Sequence, residues 1–221
     1  MSANPLIRVT IVDDQPLFAS GLSMLIEAQP YMECVGTAIN GQEAVLLSAQ
    51  LRPDIMLMDL RMPVMNGLDA TKLILAQSPP GTAPRVIVLT TIQKDEAVFL
   101  ALKVGATAFL TKDATPARVL EAIRSANTER ELPEGDASLR VVEDFAQREN
   151  PAEGRRLVAN LTPKEVEIFN RVSQGLSNAE ISGLSFLSEA TVKSHVRAIL
   201  HKLNLRSRVQ VVIFAYENGL A

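Results

Sequence analysis

The segment Asp54-Ile55-Met56-Leu57-Met58-Asp59 sets four consecutive apolar residues between two acids. Such a run, without alternating polar residues, is typical of a strand that is buried on both faces of a parallel sheet. Further runs with strand character lie at 7–12, 34–38, 85–90 and 107–111. The sequence therefore predicts five strands in the first part of the chain.

Amphipathic helical patterns alternate with these strands. One pattern follows the first strand, and the others span 41–51, 67–77, 96–104 and 116–126. Strands that alternate with helices favour a doubly wound parallel sheet with helices on both faces. We therefore predict a flavodoxin-like α/β domain with five parallel strands over residues 1–126.

The last part of the chain, 161–221, has helical patterns throughout. Thr162 and Glu165 have the spacing of a capping box, with Pro163 at the first helical position. Three more helices are predicted, at 177–184, 188–203 and 208–217. The segment therefore predicts an all-α domain of four helices.

The segment between these two domains, 127–160, is predicted to be a linker. Its first ten residues are polar and contain Pro133 and Gly135, which interrupt regular structure. A short amphipathic helix is expected within it at 137–147. The predicted organisation is thus two domains joined by a linker of mixed character.

Composition excludes several classes of protein. Hydrophobic residues make up 47% of the 221 residues, which is typical of a globular chain with packed cores. The single cysteine, Cys34, excludes a disulfide framework and a cysteine-based zinc site, and we expect it to be a small buried residue. The chain begins without the pattern of a signal peptide, and no apolar run approaches the roughly 18 residues of a membrane span. We therefore expect a soluble, cytoplasmic protein with no membrane partner.

The net charge of −3 conceals an uneven distribution. Residues 1–126 carry a net charge of −2, residues 127–160 carry −3, and residues 161–221 carry +2. Within the last part, 188–208 contains five basic residues and a single acid, Glu189. On charge alone, this basic segment is equally consistent with a nucleic-acid contact and with an ordinary solvated helix face.

Acidic residues follow two of the predicted strands. Asp13 and Asp14 come after the first strand, and Asp59 ends the third. The carboxyl ends of parallel strands line the crevice where such sheets bind ligands, and converging carboxylates suit a divalent cation such as Mg²⁺. Thr90 and Lys112 follow the last two strands and are expected at the same edge. A hydroxyl, an ammonium and a cation around one carboxylate suit an incoming phosphoryl group.

This part of the sequence resembles the receiver domain of two-component response regulators. The resemblance covers about 120 residues, and its motifs are Asp13-Asp14, Asp59-Leu60-Arg61-Met62-Pro63, Gly67, Thr90, Phe109 and Lys112. It implies that Asp59 is the phosphoacceptor and that Thr90 and Lys112 contact the phosphoryl oxygens. It also implies that Phe109 is an aromatic switch. Mg²⁺ would be bound by Asp13, Asp14, Asp59 and the backbone carbonyl of Arg61.

Two alternatives accompany this interpretation. The same residues are compatible with ordinary polar strand ends in another α/β fold. Aspartyl-phosphate phosphatases also use an aspartate at a strand end, but they typically place a second acid two residues later as the general acid. Position 61 is arginine, which does not donate a proton at neutral pH. We therefore predict that the chain is not an enzyme.

The helix predicted at 188–203 has two distinct faces. An apolar stripe is formed by Val192, Val196, Ile199 and Leu203, and the opposite side carries Lys193, Ser194, Arg197 and His201. Preceded by a second short helix and a tight turn, such a helix is suited to enter the major groove of DNA. Its arginine and lysine side chains would then reach bases or phosphates.

This segment resembles the LuxR-type helix-turn-helix of the NarL/FixJ regulators. The matching residues are Leu161-Thr162-Pro163-Lys164-Glu165, Glu167, Gly175-Leu176-Ser177-Asn178, Glu180-Ile181, Ser188-Glu189-Ala190-Thr191-Val192-Lys193, His195, Lys202-Leu203, Arg208 and Gly219-Leu220. The resemblance implies that Lys193, Ser194 and Arg197 reach bases. The DNA backbone would be contacted by Thr191, His195 and Lys202, and Ser188 would also contact DNA.

The segment departs from the family pattern at two places. Lys164 stands where the family usually has arginine. Ser185 stands where the family keeps a core leucine, and Leu184 lies one residue early. Counted from Ile181, positions 184 and 185 are i+3 and i+4, so either one can face inward. The geometry of the turn is therefore left open.

Together the two resemblances imply a transcription regulator. A sensor histidine kinase would phosphorylate Asp59, and the chain would then form a homodimer, bind promoter DNA and act on RNA polymerase. A phosphorylation-gated protein-interaction module is the alternative, which the basic stripe disfavours. Ile92, two residues after Thr90, predicts slow loss of the phosphoryl group because a bulky apolar side chain obstructs water.

Overall fold

The computed structural model describes residues 6–79, 81–91, 96–128, 156 and 158–220. The chain divides into two compact units, Met1–Pro133 and Glu134–Ala221. The division falls within 129–155, which lies outside the described residues, as does the helix predicted at 137–147. The domain limits 1–126, 127–160 and 161–221 therefore stay predictions.

The first unit contains the predicted five-stranded parallel sheet, in the order β2-β1-β3-β4-β5. Its strands are β1 Ile7–Val12, β2 Met32–Ala38, β3 Ile55–Asp59, β4 Arg85–Thr90 and β5 Ala108–Thr111. Its helices are α1 Pro16–Glu27, α2 Gly41–Leu51, α3 Gly67–Gln77, α4 Glu96–Val104 and α5 Pro116–Thr128. The doubly wound α/β prediction is confirmed.

Side chains that alternate along the strands pack on opposite faces of this sheet. One face contacts α1 and α5 through a buried cluster that includes Ile11, Leu57 and Leu89. Every residue of β3 is buried, which explains why its sequence lacks polar alternation.

The order of the strands decides where the polar edge lies. β1 pairs with β2 on one side and with β3 on the other. The chain therefore crosses to one side of β1 to form β2 and then returns to the other side to form β3. Val12 of β1 is the register partner of Met58 of β3, so Asp13 and Asp59 come next in two adjacent strands. Ligands of doubly wound sheets bind at such a reversal.

The second unit is helical within the described range 158–220. A short 3₁₀ helix, Val158–Asn160, precedes α6 Pro163–Ser173, α7 Asn178–Ser185, α8 Glu189–Lys202 and α9 Arg208–Glu217. The capping box of Thr162 and Glu165 is formed, and a second one joins Ser177 to Glu180. The prediction of an all-α domain with four α-helices is confirmed. Among the described helices of the whole chain, none is long and apolar enough to cross a membrane.

Candidate functional site

Three carboxylates converge at the carboxyl edge of the sheet. One oxygen from each of Asp13, Asp14 and Asp59 lies within 4.8 Å of the other two. Asp13 and Asp59 are 1% and 4% exposed, whereas Asp14 faces solvent. The structure thus brings together the three acids that the sequence predicted as a cluster.

Lys112 supplies the positive charge at this cluster. Its Nζ lies 2.7 Å from Asp13 Oδ2 and 2.7 Å from Asp59 Oδ2. Burial by itself would lower the pKa of Lys112, but the contacts with the two carboxylates outweigh it, so the pKa is raised. Lys112 is therefore protonated and positively charged at neutral pH. Lys112 also donates its backbone N–H to the carbonyl of Thr90 at 2.7 Å, which ties it to the end of β4.

Asp13 has an ionisation state that depends on its partners. Burial raises the pKa of this carboxyl group, while contacts with Lys112 and the backbone N–H of Gln15 act in the opposite direction. The N–H of Gln15 binds Oδ1 at 2.9 Å. Oδ2 is buried and, apart from the ion pair with Lys112, makes no hydrogen bond of normal geometry. It is therefore a buried acceptor with capacity for another cation.

The donor set fits Mg²⁺. All the clustered side-chain ligands are oxygen atoms of carboxylates, which is the ligand type that Mg²⁺ takes in proteins together with several waters. Asp14 is exposed, so the cluster is open to solvent on that side. Asp13 and Asp14 would hold such an ion together with Asp59.

The loop between β3 and α3 is held close to Asp59. The backbone N–H of Arg61 donates to Asp59 Oδ1 at 3.1 Å, which orients the carboxylate. Gly67 packs directly against the backbone carbonyl of Asp59, and a Cβ at position 67 would overlap that oxygen. Val64 has a φ of +67°, a conformation that is unusual for a β-branched residue and costs conformational energy.

A second close approach holds this loop to the start of α2. The N–H of Gly41 donates to the carbonyl of Met65 at 2.9 Å. A Cβ at position 41 would lie 2.7 Å from that oxygen and 2.9 Å from the Cβ of Ala70. Glycine at 41 and at 67 thus allows the loop that carries Arg61 to sit against the sheet.

Thr90 and Phe109 lie on the two last strands of the sheet. Thr90 ends β4, is 3% exposed and has Thr111 as its register partner. Phe109 pairs with Val88 in the same ladder, so Thr90 and Phe109 project from the same face. The Phe109 ring is 8% exposed, which places it in a buried position in this structure.

In the second unit, α8 shows the two faces that its sequence predicted. Val192, Val196 and Ile199 are buried in the helical core, and Leu203 packs against it partly buried. On the other side, Ser194, Arg197 and His201 are exposed, and Lys193 is half-buried. The helix therefore presents a polar face with basic side chains.

The first turn of α8 is fixed by its own hydroxyl groups. Ser188 caps the helix by accepting the N–H of Thr191 at 3.1 Å, and the two side-chain hydroxyls lie 2.8 Å apart. Both residues are exposed. Ser194 donates to the carbonyl of Ala190 at 3.0 Å, and His195 is half-buried.

Comparison with known proteins decides the family. The family model of the response regulator receiver domain matches residues 9–124, and that of the bacterial regulatory proteins of the luxR family matches residues 159–215. The chain belongs to the NarL/FixJ family of two-component response regulators. Members of this family are transcriptional regulators and not enzymes that act on an external substrate.

Similar proteins match this response regulator over nearly its whole length. An uncharacterized transcriptional regulatory protein of Bacillus subtilis, YxjL, is 34% identical over 214 residues, 97% of each chain. The nitrate/nitrite response regulator protein NarL of Escherichia coli is 35% identical over 213 residues, 96% of each chain. The crystal structure of the response regulator ChrA is similar with a TM-score of 0.52 and 26% identity, covering 99% of this chain and 100% of that one.

At Ser185, this response regulator departs from the family pattern, and the structure decides between the two orientations left open above. Ser185 is 8% exposed and faces inward, whereas Leu184 is 55% exposed. The hydroxyl of Ser185 donates to Glu167 Oε1 at 3.0 Å, and Lys164 pairs with the other oxygen of Glu167 at 2.7 Å. A polar contact thus occupies the inward position of α7.

Lys202 was predicted to contact the DNA backbone, but in the free response regulator it has an internal partner. Its Nζ lies 2.6 Å from Glu165 Oε2. Glu165 is 5% exposed, and the same oxygen accepts the N–H of Thr162 in the capping box. Hydrogen bonds from Lys202 and Thr162 lower the pKa of Glu165. The pair joins the end of α8 to the beginning of α6.

Sequence reasoning missed one aromatic residue beside the acidic cluster. Phe18 lies on α1, and the Nζ of Lys112 is 5.0 Å from the centroid of its ring. Nothing in the local pattern distinguishes Phe18 from the other apolar residues of α1. Its proximity to Lys112 depends on how α1 packs against β1 and β2, which sequence periodicity does not reveal.

Proposed function

We propose that phosphoryl transfer to Asp59 controls the DNA binding of this response regulator. The observation that carries the proposal is the contact of Lys112 with both buried carboxylates at 2.7 Å. An ammonium that is held against a buried aspartate at the edge of a parallel sheet is suited to bind an incoming, negatively charged phosphoryl group.

In the proposed transfer, an oxygen of the Asp59 carboxylate attacks the phosphorus of a phosphohistidine on the sensor histidine kinase. The new O–P bond forms as the P–N bond breaks, and the bonding electrons return to the imidazole ring. The N–H of Arg61 at 3.1 Å holds the non-attacking carboxylate oxygen in place. Lys112 shifts its contact from the carboxylate to a phosphoryl oxygen, and the hydroxyl of Thr90 donates to another.

A bound Mg²⁺ ion would be held by Asp13, Asp14, Asp59 and the backbone carbonyl of Arg61. When bound, it neutralises charge on the carboxylates and on the phosphoryl group. The buried, incompletely satisfied oxygen of Asp13 supports this assignment. Loss of the phosphoryl group is expected to be slow, and Ile92, on which this expectation rests, lies outside the described residues.

The output step that we propose begins at Thr90. As the Thr90 hydroxyl moves toward the phosphoryl group, Phe109 on the same sheet face repacks into the space beside it. The surface formed by the last strands and helices of the receiver changes and favours a homodimer. Two copies on paired half-sites bind more tightly than one small helix-turn-helix, because the second contact becomes intramolecular.

We place α8 in the major groove of promoter DNA. The polar face of α8 supports this placement, since Ser194 and Arg197 are exposed there and Lys193 is half-buried. These three side chains would reach bases. Ser188, Thr191 and His195 would contact the DNA backbone, the first two from the beginning of the helix and His195 from its middle. A promoter-bound dimer acts on RNA polymerase, and this role places the protein in the cytoplasm.

A phosphorylation experiment tests the input step. The protein is incubated with acetyl phosphate and MgCl₂, and the mass of the intact chain is measured. We expect one added phosphoryl group in the wild type and none in Asp59→Asn, which keeps the shape of the side chain. Equal phosphorylation of Asp59→Asn would contradict the assignment of the acceptor.

A binding experiment tests the output step. Genomic fragments are footprinted at several salt concentrations with and without phosphorylation. The variants are Lys193→Ala and Arg197→Ala, with His201→Ala as a matched control on the same helix. Loss of a base contact is expected to weaken binding about fivefold to 100-fold, whereas the control stays close to the wild type. If neither Lys193→Ala nor Arg197→Ala changes the salt dependence of DNA binding, the protein-interaction module is favoured instead.

A further inference from the structure

Phe18 lies beside the ammonium of Lys112 and packs against the core of the receiver. It is the third residue of α1, is half-buried, and packs against the apolar cluster shared by α1 and α5. Ala114, in the connection that follows Lys112, packs against the same cluster. The ring thus lies where α1 meets the segment that carries the ammonium group.

Within the described part of the receiver, the ammonium of Lys112 contacts two carboxylates and one aromatic ring. Asp13 and Asp59 each contact Nζ at 2.7 Å, and the ring centroid of Phe18 lies 5.0 Å away. A cation within about 6 Å of a ring centroid is attracted by the negative face of the ring. The Lys112 side chain is 10% exposed, and desolvation of this kind strengthens the attraction.

We propose that Phe18 is a positioning residue for Lys112 and thereby supports phosphoryl transfer to Asp59. The inference rests on the proposed function. In that function the oxygens of Asp13 and Asp59 are taken up by the metal ion and the phosphoryl group, so their contacts with Lys112 must change. The ring contact depends on neither carboxylate, and it holds the ammonium beside Asp59 before and after the transfer.

The test must separate this role from simple packing, because Phe18 also belongs to the apolar cluster. Phe18→Leu keeps an apolar side chain and removes the aromatic face, whereas Phe18→Tyr keeps the face. Leu25→Ala is the matched packing control, since Leu25 lies on the same helix, is partly buried and packs against the same cluster. All variants are made in the full chain.

The first measurement is the rate of Asp59 phosphorylation by acetyl phosphate in saturating MgCl₂. We expect Phe18→Leu to lower the maximal rate about threefold to tenfold, with little change in the half-saturating donor concentration. Phe18→Tyr is expected to restore the rate, and Leu25→Ala to leave it unchanged. In a Lys112→Met background, Phe18→Leu should have no further effect, because the ring acts through the ammonium.

The second measurement does not depend on phosphorylation. A ring face over the lysine terminus shifts the ε-methylene proton signals of Lys112 upfield in a ¹H–¹³C correlation spectrum. That shift is expected in the wild type and in Phe18→Tyr, and it should disappear in Phe18→Leu.

The outcomes separate this inference from the proposed function. A wild type that is never phosphorylated on Asp59 would contradict the proposed function. A wild type that is phosphorylated, with Phe18→Leu at the same rate, would overturn the positioning role alone. Rate losses that are equal in Phe18→Leu and Leu25→Ala, or that persist in the Lys112→Met background, would assign Phe18 to packing.

Discussion

Replacement of Lys112 by methionine tests whether the ammonium holds the acidic cluster together. The side chains of Lys112, Asp13 and Asp59 are 10%, 0% and 6% exposed, so the change leaves two carboxylates buried without their counter-ion. Removing one partner of a buried ion pair typically costs about 3–5 kcal/mol.

Protonation sets an upper limit to this cost. A carboxyl group with an ordinary pKa near 4 takes up a proton at pH 7 for about 4 kcal/mol, since each pKa unit is worth about 1.36 kcal/mol. We therefore expect the free energy of unfolding of the receiver to fall by about 3–4 kcal/mol in Lys112→Met. Added Mg²⁺ should recover more stability in the variant than in the wild type, because no ammonium competes for the carboxylate oxygens.

The assay is urea denaturation followed by circular dichroism at pH 7, with and without MgCl₂. Lys72→Met is the control, because Lys72 is an exposed lysine of the same domain, and its stability should stay within about 0.5 kcal/mol of the wild type. A loss of less than about 1 kcal/mol in Lys112→Met would refute the reasoning. So would an equal effect of Mg²⁺ on the variant and the wild type.

Two further predictions concern the glycine beside Asp59 and the ion pair of the second unit. In a calorimetric titration, Gly67→Ala should weaken Mg²⁺ binding by about tenfold or more. The new Cβ overlaps the Asp59 carbonyl and forces the loop between β3 and α3 away from the sheet. Gly21→Ala is the control and should bind Mg²⁺ normally, because a Cβ at position 21 meets nothing within 4 Å. The lowered pKa of Glu165 stabilises the fold fully above its ordinary pKa near 4.5, and this contribution is lost as the pH falls through the lower folded value. Lys202→Met should lower the free energy of unfolding by about 1–2 kcal/mol at pH 7. It should also make the fall of stability between pH 7 and pH 3 less steep, as measured by urea denaturation. If that fall is the same as in the wild type, the pair of Lys202 and Glu165 is not its cause.

Local patterns were sufficient for most of the fold and for the residues of the acidic cluster. The unbroken apolar run of β3 indicates a strand that is buried on both faces. The capping box could be predicted because Thr162 and Glu165 are only three positions apart in the sequence. Asp13 and Asp59 could be placed together because parallel strands end at one edge, and this rule needs no knowledge of packing.

Other contacts required the tertiary structure. Lys202 meets Glu165 across 37 positions, and Phe18 meets Lys112 across most of the domain, so no periodicity reveals either pair. The orientation of Ser185 was open from sequence because i+3 and i+4 are both compatible with an inward position. The hydrogen bond from the Ser185 hydroxyl is accepted by Glu167, which lies on another helix.

The internal partner of Lys202 has a consequence for the thermodynamics of DNA association. Each phosphate that a protein cation neutralises releases about 0.9 of a counterion from duplex DNA, and the salt dependence of binding counts these ions. If Lys202 turns to a phosphate, Glu165 loses its partner and attracts a cation from solution. The counterion that the DNA releases is then balanced by the cation that Glu165 takes up. This contact therefore hardly changes the salt dependence of DNA binding. Lys202→Met should therefore leave the salt slope of DNA binding almost unchanged.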